Sequence, residues 1–463
     1  MSSGPDTFVS NPRYRREFEK ARALVLAHPR RWRVIYHYDA DGIASASSAV
    51  RAFGRLGYPV QATPLQGVER ERIRALLSAT KGPVLIADTG ASWLDEYPRH
   101  PHPVVVLDHH KYPGVPDPPE LPEHVAFVNP LDWGVDGMTE MCASTLTWLF
   151  TIFLDPVNWD NAAWGLSGAI GDRMHVGGFQ GLNRLLVDEA VRRSVVVERP
   201  GTALLGPTVG AALATAIDPF FRGLSGDRAQ SEEFLRGLSI DPATPPHSLT
   251  AEETDRLVRA LRARLEAGGV LPEFVALLDQ PRWFLPSHGM DAEELSNLQS
   301  ALGRATTPGV GVAMALGDAT AFDRARAAET KWRDGILQGL RRIERDGVHT
   351  ASGVRWFESP ETTLAGTQAG MAMNYLLPPD RPVLVLSDGV TGPGKVSGRG
   401  TLRLVRQGLD LATALREAAA AVGGEGGGHR VASGATIPPG SWDRFLEVAN
   451  RLVAEQLKLG GTT

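Results

Sequence analysis

Carboxylates and imidazoles stand at the ends of short apolar runs in the first third of the chain, and their types suit divalent-cation chemistry. The run YHYDAD supplies Asp39 and Asp41, LIAD supplies Asp88, and VVVLDHH supplies Asp108, His109 and His110. Asp172, in AIGDRM, adds an acidic candidate at the end of a predicted helix. A lone aspartate after a strand is more often the N-cap of the next helix than a ligand. Capping, however, requires neither carboxylates at three strand ends nor two histidines beside the last of them. Oxygen and imidazole donors suit Mn²⁺, Mg²⁺ or a similar cation, and the lack of thiolates argues against structural zinc.

These residues converge only if the runs are strands of one sheet. Between Arg33 and Pro130 the segments RVIYHY, YPVQATPL, PVLIAD, PVVVLD and HVAFVNP read as buried parallel strands. In an open parallel sheet their carboxyl ends share one rim, where ligands bind. The stretch GIASASSAVRAFGRLG predicts a helix whose small residues approach the sheet closely, and TEMCASTLTWLFTIFL, NWDNAAWGLSGAI and GLNRLLVDEAVRRSVV predict further helices. The expected architecture is α/β. A parallel-sheet domain spans 1–193, with 1–20 a flexible tail, and a helical connector spans 194–346. In that connector Ser248 or Thr250 caps a helix, and a last helix from Thr320 to Asp346 turns Trp332, Ile336, Leu340 and Ile343 to one face. A smaller α/β domain spans 347–463, with GVRWFES, RPVLVLSDG and TLRLVR as strands and LDLATALREAAAAVGG as a helix.

Composition narrows the class. A chain of 463 residues, 22% charged and 43% hydrophobic, folds around more than one core. Its 48 basic and 53 acidic residues leave a net charge of -5, so nucleic-acid binding requires a local basic groove. The single cysteine, Cys142, sits among apolar residues and reads as a core thiol in a reducing compartment. The N-terminal residues lack the apolar stretch of a signal peptide, and no apolar run approaches the ~18 residues of a membrane span. A cytoplasmic protein without a membrane partner is expected.

Taken together, DADG, the isolated Asp88, DHH and the GxxxD pattern ending at Asp172 resemble the motif set of the DHH phosphoesterase superfamily. That superfamily includes RecJ-type exonucleases, oligoribonucleases, cyclic-dinucleotide phosphodiesterases and family II inorganic pyrophosphatases. VSGRG and GGGHRVASGATIP resemble the DHH-associated domain, and IDPFFRGLSGD is similar to a stretch of the archaeal RecJ-like nucleases, which include the GINS-associated nuclease. The likeness runs from Arg33 to Pro438. It implies Asp39, Asp41, Asp88, His109 and Asp172 as ligands of two divalent cations, Mn²⁺ foremost with Mg²⁺ or Co²⁺ as alternatives, and Asp88 as the bridging carboxylate. It further implies that His110 contacts the scissile phosphate and that Asp108 orients a histidine. The oligoribonuclease and pyrophosphatase branches carry a ligand histidine where this chain has Ile35; here His37 stands two residues before Asp39, and it joins the expected site. Two cations about 3.5 to 4 Å apart lower the pKa of an attacking water and neutralise the phosphate, so no side-chain nucleophile is needed. Ser45, Ser47 and Ser48 are accordingly read as helix packing.

Substrate size rests on the C-terminal part. Ser397 and Arg399 offer a hydroxyl and a forked guanidinium to a phosphate, Gly427 and Gly428 permit close backbone approach, and His429 adds a donor. The resemblance implies that they grip a strand, giving an exonuclease on single-stranded DNA or RNA, and a GINS-type replication partner. The alternatives are an oligoribonuclease or cyclic-dinucleotide phosphodiesterase, and a non-catalytic replication scaffold. Arg324, Arg326, Lys331, Arg333, Arg341, Arg342 and Arg345 alternate with acidic residues and read as a solvated helix face. Gly389 to Lys395 nearly spells a phosphate-binding loop, but Val396 replaces the Mg²⁺-binding hydroxyl and TLRLVR reads as a strand where a helix is required. The GVGVAMALG stretch from Gly309 likewise reads as a buried strand.

Overall fold

The parallel strands are short runs led by apolar residues, and those at Val84–Ala87, Val104–Leu107 and Val125–Val128 are buried at every position. In the computed structural model they are β1 (Trp32–His37), β2 (Val60–Leu65), β3 (Val84–Ala87), β4 (Val104–Leu107) and β5 (Val125–Val128). They pair in parallel in the order β2-β1-β3-β4-β5. The structure describes residues 8–9, 11–66, 70–117, 119–387 and 392–459, without the side chain of His247. The order reverses between β1 and β3, and at such a switch point the flanking loops part to leave a crevice at the strands' carboxyl ends. The chain divides into two compact units, Met1–Pro200 with Pro281–Thr330, and Gly201–Gln280 with Lys331–Thr463.

In the first unit, helices α1 (Pro12–Leu26), α2 (Ala40–Arg55), α3 (Arg70–Ser78), α4 (Ala143–Leu154) and α5 (Ala162–Gly171) accompany the sheet. The expected flexible tail is corrected from residue 12 onward. Asn11 caps α1, and Tyr14, Phe18, Ala21 and Val25 recur at helical spacing and are buried. Phe18 is 0% exposed and packs its ring 5.0 Å from that of Phe153. Phe18→Ala is therefore expected to destabilise the unit by about 3–5 kcal/mol in urea unfolding, where a flexible tail would give no change.

The segment 194–346, read from the sequence as one connector, is shared between the units. A short antiparallel sheet explains the division, since β6 (Val197–Arg199) pairs with β7 (Arg282–Leu285), which pairs with β8 (Met290–Asp291). This long-range pairing returns residue 281 onward to the first unit. Gly309–Ala315 is a helix rather than the expected strand, with Val310, Gly311, Met314 and Ala315 buried at helical spacing.

The second unit contains a six-stranded sheet ordered β13-β14-β12-β11-β10-β9. Its strands are β9 (His349–Thr350), β10 (Arg355–Glu358), β11 (Val383–Ser387), β12 (Gly394–Arg399), β13 (Glu425–Gly428) and β14 (Ala432–Ile437). Helices Thr362–Tyr375, Leu411–Ala420 and Trp442–Gln456 belong to the same unit. The stretch TLRLVR is corrected from strand to helix, Leu402–Arg406, because Thr401 caps it by accepting from the Leu404 N–H at 3.1 Å. Of the loop that resembles a phosphate-binding motif, 389–391 lie outside the described residues. Thr250 is the connector residue that caps, in a capping box with Glu253 at the head of Ala251–Ala267. No described helix is long and apolar enough to cross a membrane.

Candidate metal centre

The switch point gathers the acidic and histidine residues. At the end of β1 the chain turns through DADG, and Asp39 caps α2 by accepting from the Gly42 N–H at 3.1 Å. A β-carbon at Gly42 would run into the His37 carbonyl oxygen, so the turn that presents both aspartates requires glycine. Asp41, in the first turn of α2, is buried and aimed at the start of α4. Its two oxygens accept from Ala143 N–H and Ser144 N–H, each at 2.9 Å. A helix N-terminus is a favourable site for a carboxylate.

Asp88 follows β3 with a φ of 60°, in the left-handed region that non-glycine residues seldom enter. Arg173, next to Asp172 at the end of α5, shares that φ. Backbone in this region costs roughly 1–3 kcal/mol and clusters at functional sites. Asp88 is 2% exposed, and among the described residues its Oδ2 has no hydrogen-bond partner, with His37 Nδ1 at 3.5 Å. Burial, reinforced by Asp39 and Asp41, raises its carboxyl to about 7. Burial and the nearby Asp41 also push Asp172 well above the usual range. Burial opposes ionisation of Asp39 too, but the His37 ring at 2.9 Å outweighs it and holds Asp39 well below that range.

After β4 the DHH segment presents both rings. His109 Nε2 lies 3.3 Å from Asp88, 3.6 Å from Asp172 and 3.8 Å from Asp41. Burial disfavours its charged form, but these carboxylates outweigh burial and raise its pKa well above the ordinary value. Asp108 is fully buried; its Oδ1 lies 2.7 Å from His110 Nδ1, and its Oδ2 accepts from the Ala91 N–H at 2.8 Å. The His110 side chain, held at Nδ1, is 32% exposed. Among the described residues, three groups have ligand atoms mutually within 4.8 Å: Asp88 with His109 and His110, His37 with Asp39 and Asp88, and Asp41 with His109 and Asp172. Asp88 and His109 each belong to two of them. The donor set fits divalent cations, since hard oxygens and imidazoles crowd together and raised carboxyl pKa values mark a negative charge without its counter-ion.

All the N-terminal residues expected at the site are therefore neighbours, His37 included. In the second unit, Ser397 and Arg399 lie on β12 and Gly427 and Gly428 on β13, with β14 between: Ser397 and Gly427 both stand opposite Gly434. His429 follows in the hairpin and donates its N–H to the Ala432 carbonyl. Sequence reasoning missed Arg304. It lines a cleft with Tyr38, Asp39, Asp172 and Ser300, and its guanidinium donates to the Tyr38 hydroxyl at 3.1 Å. The two are 266 positions apart, and no local pattern links them.

Residues 362–455 match the DHHA1 domain family. Over 455 residues the chain is 26% identical to the uncharacterized protein MJ0831 of Methanocaldococcus jannaschii, covering 96% of this chain and 99% of that one. RecJ from Thermus thermophilus, solved in complex with Mn²⁺, superposes with a TM-score of 0.59 at 19% identity over 95% of this chain, which spans 55% of that RecJ chain. Cdc45 from Entamoeba histolytica superposes with a TM-score of 0.65 at 10% identity, covering 98% of this chain and all of that one. At such identities the structural likeness is one of fold. The chain therefore carries a DHHA1 domain at residues 362–455 and shares the fold of RecJ and Cdc45.

Proposed function

We propose that the chain is a divalent-cation-dependent hydrolase that shortens single-stranded DNA or RNA from an end. The observation that carries this reading is the sharing of Asp88 and His109 among three metal-capable groups at the sheet's switch point. Asp39, Asp41, Asp88, His109 and Asp172 would hold two cations, Mn²⁺ foremost, with Asp88 common to both. When bound, such cations supply Lewis acidity to the phosphate and to an attacking water. The chain's own residues do the rest. Asp41 is kept anionic and oriented by the start of α4. Asp108 orients His110, whose ring would contact the scissile phosphate and steady its developing charge. That every expected ligand position is occupied supports catalysis over a scaffold.

Ser397, Arg399, Gly427, Gly428 and His429 would hold the phosphates of the strand. Losing one charge-assisted contact of about 1.5–3 kcal/mol lowers affinity roughly 10- to 100-fold. Arg399→Ala is accordingly expected to raise KM for a long single strand by at least about tenfold while leaving turnover of a dinucleotide within about threefold. Equal effects on both substrates would remove Arg399 from strand binding. The reading itself is tested with purified protein, Mn²⁺, and end-labelled single-stranded DNA, single-stranded RNA, duplex, a dinucleotide and pyrophosphate. Stepwise shortening of the long single strands is expected. Turnover of the dinucleotide alone would replace the reading with a short-substrate phosphodiesterase, and inertness toward all five with a scaffold.

A further inference from the structure

Three of the candidate ligand-bearing residues are held by one continuous stretch, 129–144, that supplies no ligand. At its start Asn129, fully buried, donates from Nδ2 to the His110 carbonyl at 2.9 Å. At its end Ala143 and Ser144 donate their backbone N–H groups to Asp41. Between them the Gly137 carbonyl lies 2.6 Å from His109 Nδ1. Gly137 is buried although Gly134, Asp136 and Met138 beside it are exposed. The turn is stitched by Asp136, which accepts from the Met138 N–H at 2.8 Å and donates its own N–H to Glu140 at 2.8 Å.

Contact at Gly137 is close enough to constrain both partners. A β-carbon there would collide with the His109 carbonyl oxygen, a backbone atom that cannot turn aside. Gly137 has no positive φ, so this contact, and not a turn requirement, sets the demand for glycine. A carbonyl can only accept. His109 Nδ1 must then keep its proton, so Nε2 is the nitrogen left to bond a cation, and Nε2 is the atom that faces Asp41, Asp88 and Asp172.

We propose that the 129–144 segment is the positioning element of the metal centre, with the Gly137 carbonyl selecting the nitrogen through which His109 binds a cation. This rests on the metal-centre reading above. Partners that fix a ligand histidine typically change metal affinity by 10- to 100-fold when lost. Mn²⁺ binding to the full chain is measured by electron paramagnetic resonance for wild type, Gly137→Ala and Met138→Ala, beside the metal-free melting temperature of each. Gly137→Ala is expected, at temperatures well below its own melting, to bind Mn²⁺ at least about tenfold more weakly, and Met138→Ala to match wild type. Wild-type affinity in Gly137→Ala would overturn the inference and leave the metal centre standing. A wild-type chain that binds no Mn²⁺ would overturn both. Should Gly137→Ala fail to fold, the ¹⁵N-histidine spectrum of the Cd²⁺-loaded wild type decides: bonding through Nε2 of His109 supports the inference, and bonding through Nδ1 overturns it.

Discussion

Asp88→Asn is expected to lower Mn²⁺-dependent hydrolysis by about three orders of magnitude or more, because the stabilisation of transition-state charge by metal is worth several kcal/mol and each 1.36 kcal/mol is tenfold in rate. Asparagine is nearly isosteric and is among the residues that tolerate the left-handed backbone found at this position. The variant should therefore fold, and its metal-free form should gain stability. Burial raises the Asp88 carboxyl to about 7. Above that pH the folded chain carries an ionised, buried carboxylate beside Asp39 and Asp41, and the amide removes this cost. At pH 8 the metal-free variant should melt above wild type while losing activity. A variant that keeps substantial activity with any cation would remove Asp88 from the centre.

Mn²⁺ affinity should rise steeply with pH. The metal-free folded state retains protons that ligation must displace, on Asp88 because burial raises it to about 7 and on His109 because its carboxylate neighbours outweigh burial. The sign for stability is the same for both groups. A raised folded pKa means that the native chain binds more protons than the unfolded one, so metal-free stability falls as pH climbs from the unfolded values toward the raised ones. Each displaced proton contributes about tenfold in affinity per pH unit below its pKa. Calorimetric titration at pH 6, 7 and 8, in buffers of different ionisation enthalpy, should show affinity gained and protons released. A flat profile would contradict the protonation states assigned to the site.

The parallel sheet was legible because strands buried on both faces leave unbroken Val/Ile/Leu runs, as in Val104–Leu107, and because three of the strands run directly into candidate site residues. Asp172 was less so, since a carboxylate at a helix end is locally unremarkable and gained its meaning from the family pattern. Local alternation misled at TLRLVR and at GVGVAMALG, both helices. TLRLVR places Leu402 43% exposed and Leu404 buried, as a short helix on its Thr401 cap does, and a strand pattern looks the same over so few residues. The repeat of Tyr14, Phe18, Ala21 and Val25 was present but hidden among arginines and glutamates, so the first helix read as a tail. Arg304 and Gly137 act through contacts made only after folding, one with Tyr38 and one with a histidine ring, and residue type alone signals neither.

The central claim is that two cations share Asp88 among Asp39, Asp41, His109 and Asp172. Anomalous diffraction at the manganese edge from crystals of the full chain soaked in Mn²⁺ measures this most directly. The account predicts two peaks at the β1/β3 switch point, both within bonding distance of the Asp88 carboxylate. A single peak there, or peaks that leave Asp88 uncoordinated, would contradict it.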